Sequence, residues 1–232
     1  MKTPYGLPII DSCLSCPVMV NGGFCDLPEP SLESWNQVRQ NASHPKGAVL
    51  FVQGQAAAGV HLICTGQVKL RSTGPEGAAA IHGIFNSGAV LGAAETLLGS
   101  RHETTAETLV PSVVSYVKRD TLISLIRSDP EIGQRLTLQL STQLAAAHRQ
   151  IGNRGVNRGA LERVSRFLLD FCEGRPSVSI TLTREEIGEM VGLSRETVTR
   201  SLRELANRNV IRVSGHLISV LDQPALAQFG DS

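Results

Sequence analysis

TREEIGEMVGLSRETVTRSLRELANR, residues 183–208, reads as two short helices joined by a tight turn. Thr183 can cap the first helix, and Glu186 three residues on completes a capping box. Ile187, Met190 and Val191 then fall on one apolar face at helical spacing. Gly188 stands where a small residue lets a second helix cross closely, and Gly192 gives the turn a permissive backbone. Leu193 plugs the corner and Ser194 caps the next helix, whose Val198, Leu202 and Leu205 point inward. Arg195, Glu196, Thr199 and Arg200 share the outward face near its N-terminus, the face a helix-turn-helix lays against base edges in a DNA major groove. An ordinary solvated hairpin has no need of two caps, two small residues at the crossing and a clustered polar set. The candidate DNA-contacting residues are therefore Ser194, Arg195, Glu196, Thr197, Thr199 and Arg200.

Residues 210–220 read as a wing. Val210, Ile211 and Val213 make a short apolar run, Ser214-Gly215 is a two-residue turn signal, and Leu217, Ile218 and Val220 return. Arg212 and His216 flank the turn, placed either to reach a phosphate or only to face water. Local charge favours a polyanion. Between 195 and 212 stand Arg195, Arg200, Arg203, Arg208 and Arg212 against Glu196 and Glu204, although the whole chain carries a formal charge of only +1. At 232 residues and 41% hydrophobic content there is room for one large or two modest domains. No apolar run matches a membrane span, and the N-terminus lacks the basic-then-apolar pattern of a signal peptide. The expectation is a cytoplasmic protein with no membrane partner, whose cysteines stay reduced unless they bind metal or do redox work. Six histidines are scattered without metal spacing, and no nucleophile motif accompanies them, so no enzyme is expected.

From Lys46 to Val117 the pattern changes to short β-like runs broken by glycines. The runs are 48–52, 60–64, 67–71, 80–85 and 113–117, with turn signals at Gln53-Gly54, Thr65-Gly66, 74–77 and 86–88. Such spacing predicts an antiparallel barrel or roll, with 89–98 as a short helix lining it. Helical period returns after residue 119. Asp120 is placed to cap a short helix through Ile126, and Asp129-Pro130 starts a longer one. The stripe Ile132, Leu136, Leu140, Gln143, Ala147 and Ile151 is a candidate dimer seam, or else packs against the helix's own roll. An amphipathic helix over 160–172 carries Leu161, Val164, Phe167, Leu168 and Phe171. The expected α+β organisation is a cysteine-containing arm (1–30), an antiparallel β-roll sensor domain (31–118), a dimerisation helix (119–152), a glycine-rich hinge (153–159) and a winged helix-turn-helix domain (160–232).

This order resembles the Crp/Fnr family of bacterial transcription regulators over nearly the whole chain. SRETVTRSL (194–202) is the most specific match, and GAVLFVQGQ (47–55) and CTGQVKL (64–70) resemble the early strands of that family's cyclic-nucleotide-binding-like roll. The resemblance implies a homodimer, a palindromic double-stranded DNA site, an effector sensed by the N-terminal half and RNA polymerase as a partner. It also implies that Arg195 and Arg200 read guanines, Glu196 a cytosine amino group and Thr199 a base or phosphate. Those pairings make chemical sense: arginine is bidentate to guanine acceptors, and a carboxylate accepts from cytosine N4. Arginine at 195 resembles the cyclic-AMP-responsive branch, which implies a TGTGA-like rather than a TTGAT-like half-site.

Nucleotide-binding members of the family supply a Gly-Glu pair and, further on, an Arg-Ser or Arg-Thr pair. In LGAAETLLGSRHETTAETL (91–109), Gly92 is followed by Ala93, and Glu103-Thr104 stands at the phosphate position, where a carboxylate repels the ligand. Glu95 and Arg101 substitute only if the loop is re-registered, so no cyclic nucleotide is expected. The arm, DSCLSCPVMVNGGFCDLP (11–28), carries Cys13, Cys16 and Cys25 in a segment too short for its own core. C-x-x-C followed by a third cysteine is how thiolates gather around iron–sulfur or zinc. In position the arm resembles that of the Fnr-like branch, which holds a 4Fe-4S iron–sulfur cluster, and the chain resembles this branch more than the cyclic-AMP-binding one. Two departures stand out. The interval from Cys16 to Cys25 is longer than in that branch, and its fourth ligand would align near Ser115. Cys64, or a carboxylate such as Asp26, is the candidate fourth ligand. The candidate metal set is Cys13, Cys16, Cys25 and Cys64, with a redox thiol pair, a zinc site, a functionless arm and an organic effector in the roll as open alternatives. Cys172 reads as a core residue of its helix.

Overall fold

Short strands build two four-stranded antiparallel sheets in the first half of the chain, ordered β1-β8-β3-β6 and β2-β7-β4-β5. The strands are β1 (Gln40–His44), β2 (Val49–Phe51), β3 (Gly59–Thr65), β4 (Gln67–Thr73), β5 (Ala79–Asn86), β6 (Val90–Leu91), β7 (Thr105–Thr108) and β8 (Ser112–Lys118). The computed structural model describes residues 5–19, 23–75, 77–155, 159–172 and 179–230. The chain divides into two compact units, 1–146 and 147–232.

In the first unit the sheets close on a core of Phe51, Ile63, Val68, Leu91 and Ala106. β3 is buried on both faces, which explains its nearly unbroken apolar run. Ile63 points into the roll, whereas Val60 and Leu62 point outward into a second core with Phe24, Trp35, Leu122, Leu125, Ile132 and Leu136. Each fully buried side chain of this size contributes roughly 1.5–3 kcal/mol. That outer core is covered by a 3-10 turn (Gly23–Asp26), α1 (Glu29–Val38), α3 (Arg119–Ser128) and the start of α4 (Pro130–Gly155). The remaining helix, α2 (Ala93–Leu98), follows β6.

The second unit holds α5 (Ala160–Cys172), β9 (Ser179–Thr181), α6 (Arg184–Val191), α7 (Arg195–Asn207), β10 (Ile211–Ser214), β11 (Leu217–Val220) and α8 (Gln223–Gly230). α5 packs on α6, α7 and α8, burying Val164, Phe167, Leu168 and Cys172. A three-stranded sheet ordered β10-β11-β9 forms the wing.

Several expectations are corrected by the structure. Residues 89–98 are a strand and then a helix, because Val90 and Leu91 are drawn into the sheet beside β3. Asp120 does not cap α3: Lys118 holds that position without a side-chain bond, and the helix runs to Ser128. The wing turn is Gly215-His216 rather than Ser214-Gly215, since Ser214 still pairs with Leu217. The first half of the stripe on α4 packs on the chain's own core, the second of the two options: Ile132 and Leu136 are buried and Leu140 packs on them, whereas Ala147 is exposed. Leu138 and Leu144, on another side of the helix, are 56% and 57% exposed instead. The segment read as a hinge begins inside α4, which continues to Gly155. Residues 156–158 of that segment, and the side chain of Ile151, lie outside the described residues.

Candidate functional site

α6 and α7 are set by their caps. Thr183 Oγ1 accepts from the Glu186 amide at 3.1 Å while Glu186 Oε2 accepts from the Thr183 amide at 2.9 Å, so the capping box is complete. Ser194 Oγ accepts from the Thr197 amide at 3.3 Å and begins α7. A Cβ built on Gly188 would stand 2.5 Å from the Leu193 carbonyl oxygen, so only glycine permits this crossing. Gly192 closes α6 in the left-handed region at φ +70°. With Ile187, Val191, Val198, Leu202 and Leu205 buried beneath, Arg195, Glu196, Arg200 and Arg203 are exposed on one side of α7.

The six candidate DNA-contacting residues thus lie together on the first two turns of one helix. Three of their hydroxyls are engaged within that helix. Ser194 serves as the cap, Thr199 Oγ1 donates to the Arg195 carbonyl at 2.8 Å, and Thr197 Oγ1 accepts from Arg200 Nη2 at 3.2 Å. Thr197 therefore steadies the Arg200 guanidinium. Arg208, counted among the local cations, is held on the protein by Glu204 at 2.8 Å and by the Phe229 ring at 4.9 Å. Arg212 and His216 are exposed. Arg184, which the sequence did not single out, donates to the Gly215 carbonyl at 3.3 Å and ties α6 to the wing turn.

In the roll, His102 occupies the space beside Gly92: its ring stacks on Phe51 at 3.9 Å, and its Cε1 lies 2.9 Å from where a Cβ on Gly92 would be. His61 meets the same Phe51 ring at 5.5 Å and Tyr116 at 4.9 Å. Burial, with His102 and His44 adding to it, pushes the His61 imidazole down to about 4. Arg101 Nη1 donates to the Gly54 carbonyl at 2.7 Å, Ala93 is buried and Glu103 is exposed.

The four candidate metal ligands are brought to one place. Cys13, Cys16, Cys25 and Cys64 line a single cavity with Ile10, Met19, Phe24, Leu32, Trp35 and Leu62. Cys64 follows Leu62 on the outward face of β3, toward the arm rather than the roll interior. Ser115, where the family's fourth ligand would align, is buried opposite Leu62 in the same sheet. The sequence shift from β8 to β3 is thus a step between neighbouring strands. The described cysteines form no disulfide. Among the described residues no three Cys, His, Asp or Glu side chains converge as a ready ligand set; the thiols share a cavity wall, not a point. Burial pushes the Cys64 thiol up to about 12 and raises Cys13 as well, with the Arg39 charge opposing both. Asp26, the other candidate fourth ligand, is instead turned to α4. Arg135 Nη2 donates to its carbonyl at 2.8 Å, and Nη1 lies 3.7 Å from its carboxylate. Cys172 is buried in its helix, as expected of a core residue.

Residues 42–129 match the cyclic nucleotide-binding domain family, and residues 162–229 match the Crp-like helix-turn-helix domain family. The chain is 26% identical over 219 residues to a CRP-like cAMP-activated global transcriptional regulator of Mycobacterium tuberculosis, covering 91% of this chain and 97% of that one. It is 29% identical over 184 residues to the cAMP-activated global transcriptional regulator CRP of Haemophilus influenzae, covering 76% and 82%. Among solved structures it resembles FixK2 from Bradyrhizobium japonicum with a TM-score of 0.74 and 25% identity, over 83% of this chain and 97% of that one.

Proposed function

We propose, from the matches of residues 42–129 and 162–229 to the cyclic nucleotide-binding and Crp-like helix-turn-helix domain families, that the chain is a Crp/Fnr-type DNA-binding transcription regulator acting as a cytoplasmic homodimer switched by an iron–sulfur cluster. Arg195, Glu196 and Arg200 read a palindromic site, and RNA polymerase is the partner at the promoter. The cluster rests on Cys13, Cys16, Cys25 and Cys64, and the signal is oxygen, nitric oxide or redox state. One observation carries the sensing half: cysteines from two separate segments, the arm and β3, line one cavity. Such a cluster supplies iron and sulfide that oxygen and nitric oxide attack.

The chain's own residues provide the relay. Cys25 is followed by Asp26, which Arg135 of α4 grips through its carbonyl and carboxylate. Cys13 packs on the same outer core as Leu136 and Leu140 of α4. A change in how the thiols are held therefore bears on α4 within one residue. The exposed Leu138 and Leu144 suit burial against a second copy. Two arrangements of that helix pair would set the spacing of the two recognition helices, a two-state element biased by a ligand.

Anaerobic purification tests this. The expected protein is brown, with iron and sulfide in near-stoichiometric amounts. Cys13→Ala, Cys16→Ala, Cys25→Ala and Cys64→Ala each lose iron, and Cys172→Ala keeps it. DNA affinity should differ at least tenfold between loaded and air-treated protein, about 1.4 kcal/mol. Colourless, iron-free protein after anaerobic reconstitution overturns the cluster reading.

The relatives named as cAMP-activated favour a second reading, a small organic effector in the roll. Against cyclic AMP stand Ala93, buried with no side-chain acceptor, and the exposed Glu103 carboxylate, which the family resemblance sets at the phosphate position. A thermal-shift screen of metabolites on iron-free protein separates the two readings.

A further inference from the structure

The arm is fastened to the roll by a small network around Arg39, the residue that closes α1. Arg39 Nη2 donates to the carbonyls of Ile10 at 3.1 Å and Asp11 at 3.0 Å. Its Nε donates to Asn36 Oδ1 at 2.9 Å, and the same oxygen accepts from the Cys13 amide at 3.0 Å. Asn41 Nδ2 of β1 adds a bond to the Ile10 carbonyl at 2.7 Å. The backbone from Ile10 to Cys13 is thus pinned by side chains of α1 and β1. The remaining nitrogen of the guanidinium fork, Nη1, is buried and has no hydrogen-bond partner among the described residues.

We infer that Arg39 is the positioning residue of the cysteine site, fixing the Cys13 backbone through Asn36 and setting a positive charge beside the arm that carries Cys13. This rests on the cluster reading above. The physical need is plain. Four thiolates around a cluster carry net negative charge, and in an apolar cavity of Phe24, Leu32, Trp35 and Leu62 that charge is costly without a compensating cation. An arginine fork holds two carbonyls through one nitrogen and a side-chain oxygen through another while keeping its charge. Hydrogen bonds and positive charge at cluster sulfurs raise the reduction potential, and loss of such outer partners typically weakens metal binding by about 10–100-fold.

The test uses the full-length protein, reconstituted with iron and sulfide under argon. Wild type, Arg39→Lys, Arg39→Gln and Asn36→Ala are compared by iron retention against a chelator, by midpoint potential and by emission of Trp35. Trp35 is the chain's single tryptophan and lines the cavity, so its quenching reports occupancy. Arg39→Gln should lose iron at least tenfold more readily and shift the potential to more negative values. Arg39→Lys should recover much of the potential but not the retention, because it keeps charge and loses the fork. Asn36→Ala should weaken retention with little change in potential. Wild-type retention and potential in Arg39→Gln overturn the role of Arg39 while leaving the cluster reading intact. Iron-free wild type overturns both. Should Arg39→Gln fail to fold, Arg39→Lys decides: wild-type retention there overturns the proposal, and weakened retention at near-normal potential supports it.

Discussion

Replacing Gly188 by alanine should damage the recognition helix more than its chemistry suggests. In a free helix the change is favourable by about 1 kcal/mol, because alanine is the better helix former. Here the new Cβ would stand 2.5 Å from the Leu193 carbonyl oxygen, where ordinary contact begins at 3.4 Å, so that carbonyl has to retreat by about 0.9 Å. It cannot swing away as a side chain would. The turn is held to Gly188 itself, whose carbonyl accepts from the amides of Gly192 at 2.8 Å and Leu193 at 3.0 Å. Overpacking against such a fixed group costs about 1–3 kcal/mol, which outweighs the propensity gain. The expected net loss is up to roughly 2 kcal/mol. Gly192 is the control. A Cβ there meets nothing nearer than Arg163 Nη1 at 3.8 Å, so only its φ of +70° resists substitution. Asparagine tolerates that region, and Gly192→Asn should cost less than Gly188→Ala. Amide exchange of α7 in the full-length protein reads the local stability, and fluorescence anisotropy reads DNA affinity. Gly188→Ala should lose in both, and Gly192→Asn in neither. Equal exchange protection in Gly188→Ala and wild type would refute the reasoning about the crossing.

Arg200→Ala should abolish preference at one base position per half-site, a loss of about 1–3 kcal/mol in a binding-site selection. Arg208→Ala should leave the preference intact, since that guanidinium is occupied by Glu204 and Phe229; a changed consensus in the latter would contradict the assignment. Thr183→Ala breaks the capping box and should cost about 1 kcal/mol, seen as faster exchange of the first-turn amides of α6. His61 predicts acid sensitivity of the roll. Its imidazole titrates at about 4 in the folded chain and near 6.5 when unfolded. Between those values the unfolded chain takes up a proton that the folded chain refuses. Stability is therefore full above about pH 7 and falls as pH drops through 6.5 toward 4, by roughly 3 kcal/mol. His61→Gln should flatten that slope in urea titrations from pH 7.5 to 4.5, in part only, because burial also lowers His44 and His102; an unaltered slope rules His61 out as the source.

Local signals carry most of the second unit. A capping box, a helix-breaking glycine and the spacing of Val198, Leu202 and Leu205 act between residues three or four apart, so they are legible in a single string. The wing turn differs by one residue from its expected place because Gly215 serves equally well in either register, and only pairing of Ser214 with Leu217 chooses between them. The strands with strong apolar runs are legible in the same way. α1, β1 and β7 are not, because EPSLESWNQV, QNASH and TAET have polar or mixed faces. Their assignment depends on neighbours far along the chain: Trp35 enters a core with Leu122 and Leu136, and β1 pairs with β8.

By itself the sequence determined the order of the parts, the face of α7 that carries the arginines and the identity of the cysteines. Each of these depends on helical period, capping chemistry or simple composition, which are properties of neighbours along the chain. Folding in three dimensions alone decided that Cys64 joins Cys13, Cys16 and Cys25, that Arg39 and Asn36 hold the arm, and that Arg135 grips Asp26. It also turned Ile132 and Leu136 inward and left Leu138 and Leu144 exposed. Those pairings join residues tens to more than a hundred positions apart, where no periodicity reaches and only the closing of two sheets and a helical cover brings the partners within bonding distance.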